Sequence, residues 1–245
     1  MNSILRTRQP HDWWNLGVVA LIAAFLMIWF SACSSGSPGG AKTNKASTPV
    51  GTAVTTEQSV PTSLANAGEY GENVYDYAKV NDWKNADVKL VTLRDAVKRV
   101  RTDGKNTSAA IDRLDTKVAA LDRAVTAKDR QAAMREANQV TLDVANMTTA
   151  YKLSVPVEVT KLDYYGRELE VWTQVQDANK LQATAREMRR TWDSLRPSVE
   201  AHKATEAKKF DALVARVESA KTPADYALVA TPVLNEVDNL EKLFH

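Results

Sequence analysis

An all-α helical bundle is the fold that the sequence predicts, and three observations predict it. From Leu64 to His245, 182 residues, glycine stands only at 68, 71, 104 and 166 and proline only at 156, 197, 223 and 232, while Ala, Leu, Lys, Glu, Arg and Val dominate. Such a stretch is rich in helix formers and poor in breakers. Apolar residues recur in a 4-3-4-3 rhythm at Ala86, Leu90, Leu93, Val97 and Val100, and again at Leu181, Ala185, Met188, Trp192 and Leu195. That rhythm keeps one stripe of a helix turned toward a core. The two stripes lie 95 residues apart at every position, and Tyr70-Gly71, Val80, Asp82, Arg94 and Arg101 recur as Tyr165-Gly166, Val175, Asp177, Arg189 and Arg196. A shift of 96 then aligns Leu114, Val118 and Leu121 with Phe210, Val214 and Val217, and Thr126 to Asp129 with Thr222 to Asp225. The pattern predicts internal duplication of a four-helix unit.

Taken in order, the first half (69–151) should hold helices over 69–80, 82–101, 108–125 and 127–150. The second half (152–245) should hold helices over 157–175, 177–196, 199–220 and 223–243. Asp82 and Asp177 can accept from the free amides of the next turn, and Thr222 with Pro223 and Asp225 supplies a cap, a first-turn proline and a dipole partner. Thr126 and Asp129 should do the same without proline. Short connections make neighbouring helices antiparallel.

The N-terminal residues carry a different signal. Arg6 and Arg8 precede an apolar run from Leu16 to Phe30, followed by Ser31-Ala32-Cys33 and a Ser/Gly/Pro stretch. Basic flank, apolar stretch and small residues are the parts of an export signal over 1–33. The ending resembles the lipobox of bacterial lipoproteins, with Phe30 where Leu is usual. This resemblance implies that Cys33 becomes the acylated first residue of the mature protein, and Ser34 resembles the residue found in lipoproteins passed to an outer membrane. The alternative is an uncleaved anchor helix from Leu16 to Cys33, about 27 Å long and near the lower limit for a span. Both readings place the rest of the chain on the extracytoplasmic face, periplasm or cell surface. Residues 34–68, mostly Ser, Thr, Gly, Ala, Pro and Val, read as a disordered tether that cannot bury enough apolar surface to offset its ordering entropy.

Several chemistries are excluded or left without support. The single Cys rules out a disulfide framework, and His11, His202 and His245 are too few for a multi-histidine metal site. The Glu-x-x-His pairs of di-iron bundles, His-Glu-x-x-His, Cys-x-x-Cys-His, Gly-x-Ser-x-Gly and a phosphate loop are all absent from the sequence. No metal, no cofactor and no catalytic set is expected. The body balances 28 Lys+Arg against 28 Asp+Glu, which argues against a nucleic-acid partner.

Two residue sets stand out. Arg94 and Arg101, with Arg189 and Arg196, sit one heptad apart in each half and fit paired anion or partner contacts. The competing reading is salt bridging to acids such as Asp95 and Asp193. Tyr70, Tyr165, Trp172 and Trp192 are the aromatics expected either in the core or in a ligand pocket between the halves. The expected function is a membrane-anchored, non-enzymatic module that binds an envelope protein or component. The alternative is a small-ligand receptor; a sensory bundle and an enzyme follow.

Overall fold

The computed structural model describes residues 59–245, and over these the protein is all-α. The described helices are α1 (Thr62–Lys79), α2 (Trp83–Asp103), α3 (Ser108–Thr126), α4 (Arg130–Thr148), α5 (Val157–Gln174), α6 (Ala178–Ser219) and α7 (Pro223–Glu241). The export segment, Cys33 and the tether up to residue 58 lie outside the described residues.

Three of the turns share one construction. Asn81, Lys128 and Gln176 adopt positive φ (59°, 52° and 55°), and the residue after each closes the preceding helix: the Asp82, Asp129 and Asp177 amides donate to Tyr77, Ala124 and Trp172 carbonyls. This is a Schellman closure with a left-handed residue. The same aspartate then caps the next helix, accepting from Asn85, Ala132 and Lys180. One residue thus ends a helix and starts its antiparallel neighbour, which explains why the connections are so short. Thr222 and Asp225 form a full capping box on α7, with Pro223 in the first turn.

Packing follows the predicted stripes. Helix α1 lies against α2 and α4, and α3 against α4; α5 lies against α6 and α7. The first core gathers Leu64, Leu90, Leu93, Leu114, Leu121 and Met134, and the second Leu162, Leu181, Met188, Trp192, Phe210 and Val233. Buried positions correspond between the two: Ala86, Leu90, Leu93, Val97 and Val100 with the stripe of α6, then Ile111, Leu114, Val118, Leu121 and Ala124 with Ala207, Phe210, Val214, Val217 and Ala220. Ala133, Met134, Ala137, Thr141 and Val144 match Val229, Ala230, Val233, Val237 and Leu240 in the same way.

Three expectations are corrected. The tether does not run to 68, because α1 begins at Thr62 and buries Leu64 and Ala67 completely; the small-residue composition hides two core positions. Thr126 caps nothing: it is the last residue of α3, and Asp129 caps α4. The break expected at Pro197 falls instead at Lys203 (φ −159°, ψ 95°), with Pro197 inside α6. Val199 is fully buried and continues the Trp192, Leu195 stripe, so core contact carries the helix past the proline before it bends.

Candidate functional site

The four arginines picked out by spacing are engaged within the chain. Arg94 pairs with Asp122 and Arg101 with Asp115, from α2 to α3. In the second half Arg189 reaches Glu218 at 2.7 Å and Asp193 at 3.2 Å, while Arg196 reaches Asp211 at 3.0 Å and Glu200 at 2.8 Å. Hydrogen bonds from Arg189 and Arg196 hold the carboxyls of Glu218 and Asp211 below the usual range. The matched spacing therefore marks two clamps that tie consecutive helical segments, one pair in each half, with donors directed at internal acids.

The aromatic quartet does not converge on one cavity. Trp192 is fully buried, its ring centroid 4.6 Å from that of Phe210 and its indole N–H donating to Asp211 at 2.8 Å, so it belongs to the second core. Tyr165 packs on that core and lies edge-on to Tyr164. Trp172 touches both cores, with Lys180 Nζ 5.5 Å from its ring centre. Tyr70 lies elsewhere, lining a cleft of about 260 Å³ between α1 and α2 with Thr62, Asn66, Thr92, Asp95 and Arg99. The glycines beside the tyrosines have a packing role: a Cβ at Gly71 would lie 3.2 Å from Val140 Cγ1, and one at Gly166 2.5 Å from Leu234 Cδ2. Each lets the last helix of its half approach the first.

Between the halves lies a polar seam that the sequence reading missed. Arg167 on α5 is 3% exposed, with Nε 2.8 Å from Asp163 and Nη2 3.3 Å from Glu72 on α1. Its guanidinium carbon sits 5.0 Å from the Tyr75 ring centre, a cation–π arrangement. Burial alone would lower the Arg167 pKa, but Asp163 and Glu72 outweigh it and hold the group charged. The Tyr75 hydroxyl donates to Glu170 at 2.9 Å and Lys79 bonds the same carboxylate at 2.7 Å. Burial first, and then the Glu170 charge, raise the Tyr75 pKa.

On the α4 side, the Asn138 amide donates to the Tyr164 carbonyl at 3.1 Å, and Gln139 donates to the Tyr164 hydroxyl at 2.6 Å. Glu168 accepts from Trp172 and Asn138; burial raises its carboxyl pKa, an effect these hydrogen bonds partly offset. Glu72 meets Arg167 and Tyr75 meets Glu170, and both pairs are 95 residues apart. With Lys79 also reaching Glu170, the contacts advance in the same direction along both helices, so α1 and α5 run parallel at the seam. No amphipathic signal in the sequence marks Arg167 as buried, since Thr160, Asp163 and Glu170 share its side of α5.

Chemically, the seam offers charge pairing and hydrogen bonds, with Arg167 Nη1 and Asn138 Oδ1 buried and lacking a hydrogen-bond partner among the described residues. The α1–α2 cleft offers hydroxyls, an amide, carboxylates and one guanidinium, at a size slightly below ordinary ligand pockets. Among the described residues no group of three or more His, Cys, Asp or Glu is placed to hold a metal ion, and no helix is long and apolar enough to cross a membrane. His202 is exposed, its ring 4.8 Å from that of Phe244. No family model matches the chain, and no curated protein or solved structure matches it either.

Proposed function

We propose that this protein is a membrane-anchored lipoprotein whose helical body, on the extracytoplasmic face, binds another protein or a component of the cell envelope without catalysing a reaction. The observation that carries the reading is the order of basic flank, apolar run and Ser31-Ala32-Cys33 ahead of a long small-residue stretch and a folded body. The body is compatible with a binding role, because the half-exposed arginines tie helices together and the buried Arg167 and Glu168 belong to the seam. Replacing Cys33 with Ala should abolish acyl labelling and leave the precursor uncleaved. Unchanged processing would overturn the lipoprotein reading.

A second reading, small-ligand reception, is favoured by the cleft at Tyr70, which lies within the first half. Mass analysis of small molecules and proteins that co-purify with the lipidated chain separates the two. A stoichiometric small molecule supports reception, and a recurrent protein supports the binding module.

We also propose that the halves descend from one duplicated four-helix unit, on the matched burial, clamps and positive-φ turns. An experimental structure in which α1–α4 fail to superpose in order on α5–α7 would remove that proposal.

A further inference from the structure

We propose that the outer face of α2 is a self-docking surface, on which a second copy of this chain packs its own α2 antiparallel. Lys84, Val88, Val91, Asp95, Lys98 and Thr102 are all exposed and follow a 4-3-4-3-4 spacing, a second heptad stripe besides the one that α2 turns to the core. Val88 and Val91 are 56% and 48% exposed, and they lie one turn apart at the middle of the stripe. In an antiparallel helix pair each layer joins an a position to a d position of the other helix, so that positions with a constant sum face each other. Setting Val88 against the second copy's Val91 therefore sets Lys84 against the second copy's Asp95. Because such an interface is isologous, each contact is made twice.

The charges also select the orientation. Parallel, in-register pairing would place Lys84 on Lys84, Asp95 on Asp95 and Lys98 on Lys98, a like-charge contact at each of these layers. In the antiparallel register opposite charges flank two apolar layers. Within the chain Asp95 pairs with Lys98 at 3.2 Å, both exposed, a surface ion pair of small worth that docking can exchange. The matching positions of α6 are Asn179, Ala183, Arg186, Arg190 and Asp193, which replace the valines with Ala and Arg and lack this complementarity. A single pair of 21-residue helices buries less than the roughly 1,200–2,000 Å² of a standard stable interface, so the dimer is a weak, concentration-dependent one. The inference is independent of whether Cys33 is acylated.

Sedimentation of the full-length chain in a density-matched non-ionic detergent at low salt tests it. The parent chain should dimerise reversibly. Lys84→Asp and Asp95→Lys should each weaken dimerisation by roughly tenfold or more, since each creates like-charge layers. An equimolar mixture of the two variants should restore it, because the aspartate of one then faces the lysine of the other at both layers. Far-ultraviolet circular dichroism should be unchanged throughout. The proposal is overturned if the parent remains monomeric up to several hundred micromolar, if either variant dimerises like the parent through some other face, or if the mixture fails to restore pairing.

Discussion

The two halves bury corresponding positions with different side chains. Where the first half places Leu90, Val97 and Leu114, the second places Ala185, Trp192 and Phe210, all of them buried. Size differs in both directions at these matched positions, so the two cores fill the same pattern of buried sites with different shapes. The arginine clamps are held more strictly: Arg94 with Asp122 becomes Arg189 with Glu218, and Arg101 with Asp115 becomes Arg196 with Asp211. Matched positions also differ on the surfaces that a half turns outward. At the seam Glu72 faces Arg167 and Tyr75 faces Glu170, and on the outer face Val88 and Val91 give way to Ala183 and Arg186. Buried positions recur inside each half, while the matched positions that face each other across the seam are unlike: an acid meets a base, and a phenol meets an acid.

The sharpest way to probe that difference is at the core position that changed most. Trp192→Ala removes a fully buried indole that packs on Phe210 and donates to Asp211, and should cost roughly 3 to 5 kcal/mol. Val97→Ala at the matched position should cost no more than about 1.5 to 3 kcal/mol. Denaturant titration of both variants measures the contrast. Equal costs would mean that the second core has relaxed around a dispensable tryptophan.

At the seam, Arg167→Ala leaves Asp163 and Glu72 without the cation they share in a largely dry site. Breaking a buried ion pair from one side costs about 3 to 5 kcal/mol. The loss should fall on the coupling between halves, so the unfolding transition should broaden or divide in two as well as shift. A small shift with an unchanged slope would show that water enters and resolvates the two acids.

These contrasts also explain what was legible from residues alone. Periodicity exposed the stripes of α2 and α6 because core contact repeats every turn, and the aspartate caps were visible because a carboxylate there has few other uses. The arginine spacing leaves paired anion contacts and salt bridges both open; the salt bridges are what forms, Asp193 among the acids, while the main partners, Asp115 and Asp122 with Asp211 and Glu218, lie on another segment whose facing side only packing decides. The start of α1 escaped notice because Pro61 brings no side-chain cap and Leu64 is followed by small residues. The seam could not be read from amphipathic pattern, since a buried arginine looks like a surface one until its partners arrive from residues far away in the chain. Of the four aromatics, only Trp192 sits on a stripe, and burial places it in the core.

A smaller contrast concerns the two glycines. A Cβ at Gly166 would meet both Cδ2 and Cγ of Leu234, at 2.5 and 2.9 Å, whereas one at Gly71 meets Val140 Cγ1 and Thr141 Oγ1 at 3.2 and 3.3 Å. Gly166→Ala forces α7 or the Leu234 rotamer to move and should destabilise by about 1 to 3 kcal/mol. Gly71→Ala needs a shift of only a few tenths of an ångström, and the gain in helix propensity of about 1 kcal/mol should offset most of its cost. Thermal melts of the pair should therefore differ in size, with Gly71→Ala near the parent.

The smallest effect expected is also the one with a pH signature. Burial raises the pKa of Glu168 above its unfolded value, despite hydrogen bonds from Trp172 and Asn138 and the charge of Lys180. Folding is then favoured by protonation of this carboxyl. Its stabilising contribution is fully present below the unfolded pKa and is lost as pH rises through the folded one. Above that folded pKa the protein holds a buried carboxylate at a cost. Glu168→Gln removes that charge while its carbonyl still accepts from Trp172, and above the folded pKa of Glu168 it should raise stability by up to about 1 kcal/mol, the scale of one hydrogen bond. The advantage should shrink as the solution is acidified through the folded pKa of Glu168, because the parent then becomes neutral at the same position. Asn73, which occupies the matched position in α1, is already neutral, so Asn73→Asp should run the comparison in the opposite direction and add a penalty at pH 7 that fades in acid. Parallel pH profiles for parent and Glu168→Gln would show that the carboxylate is solvated in the folded protein and that the seam tolerates its charge.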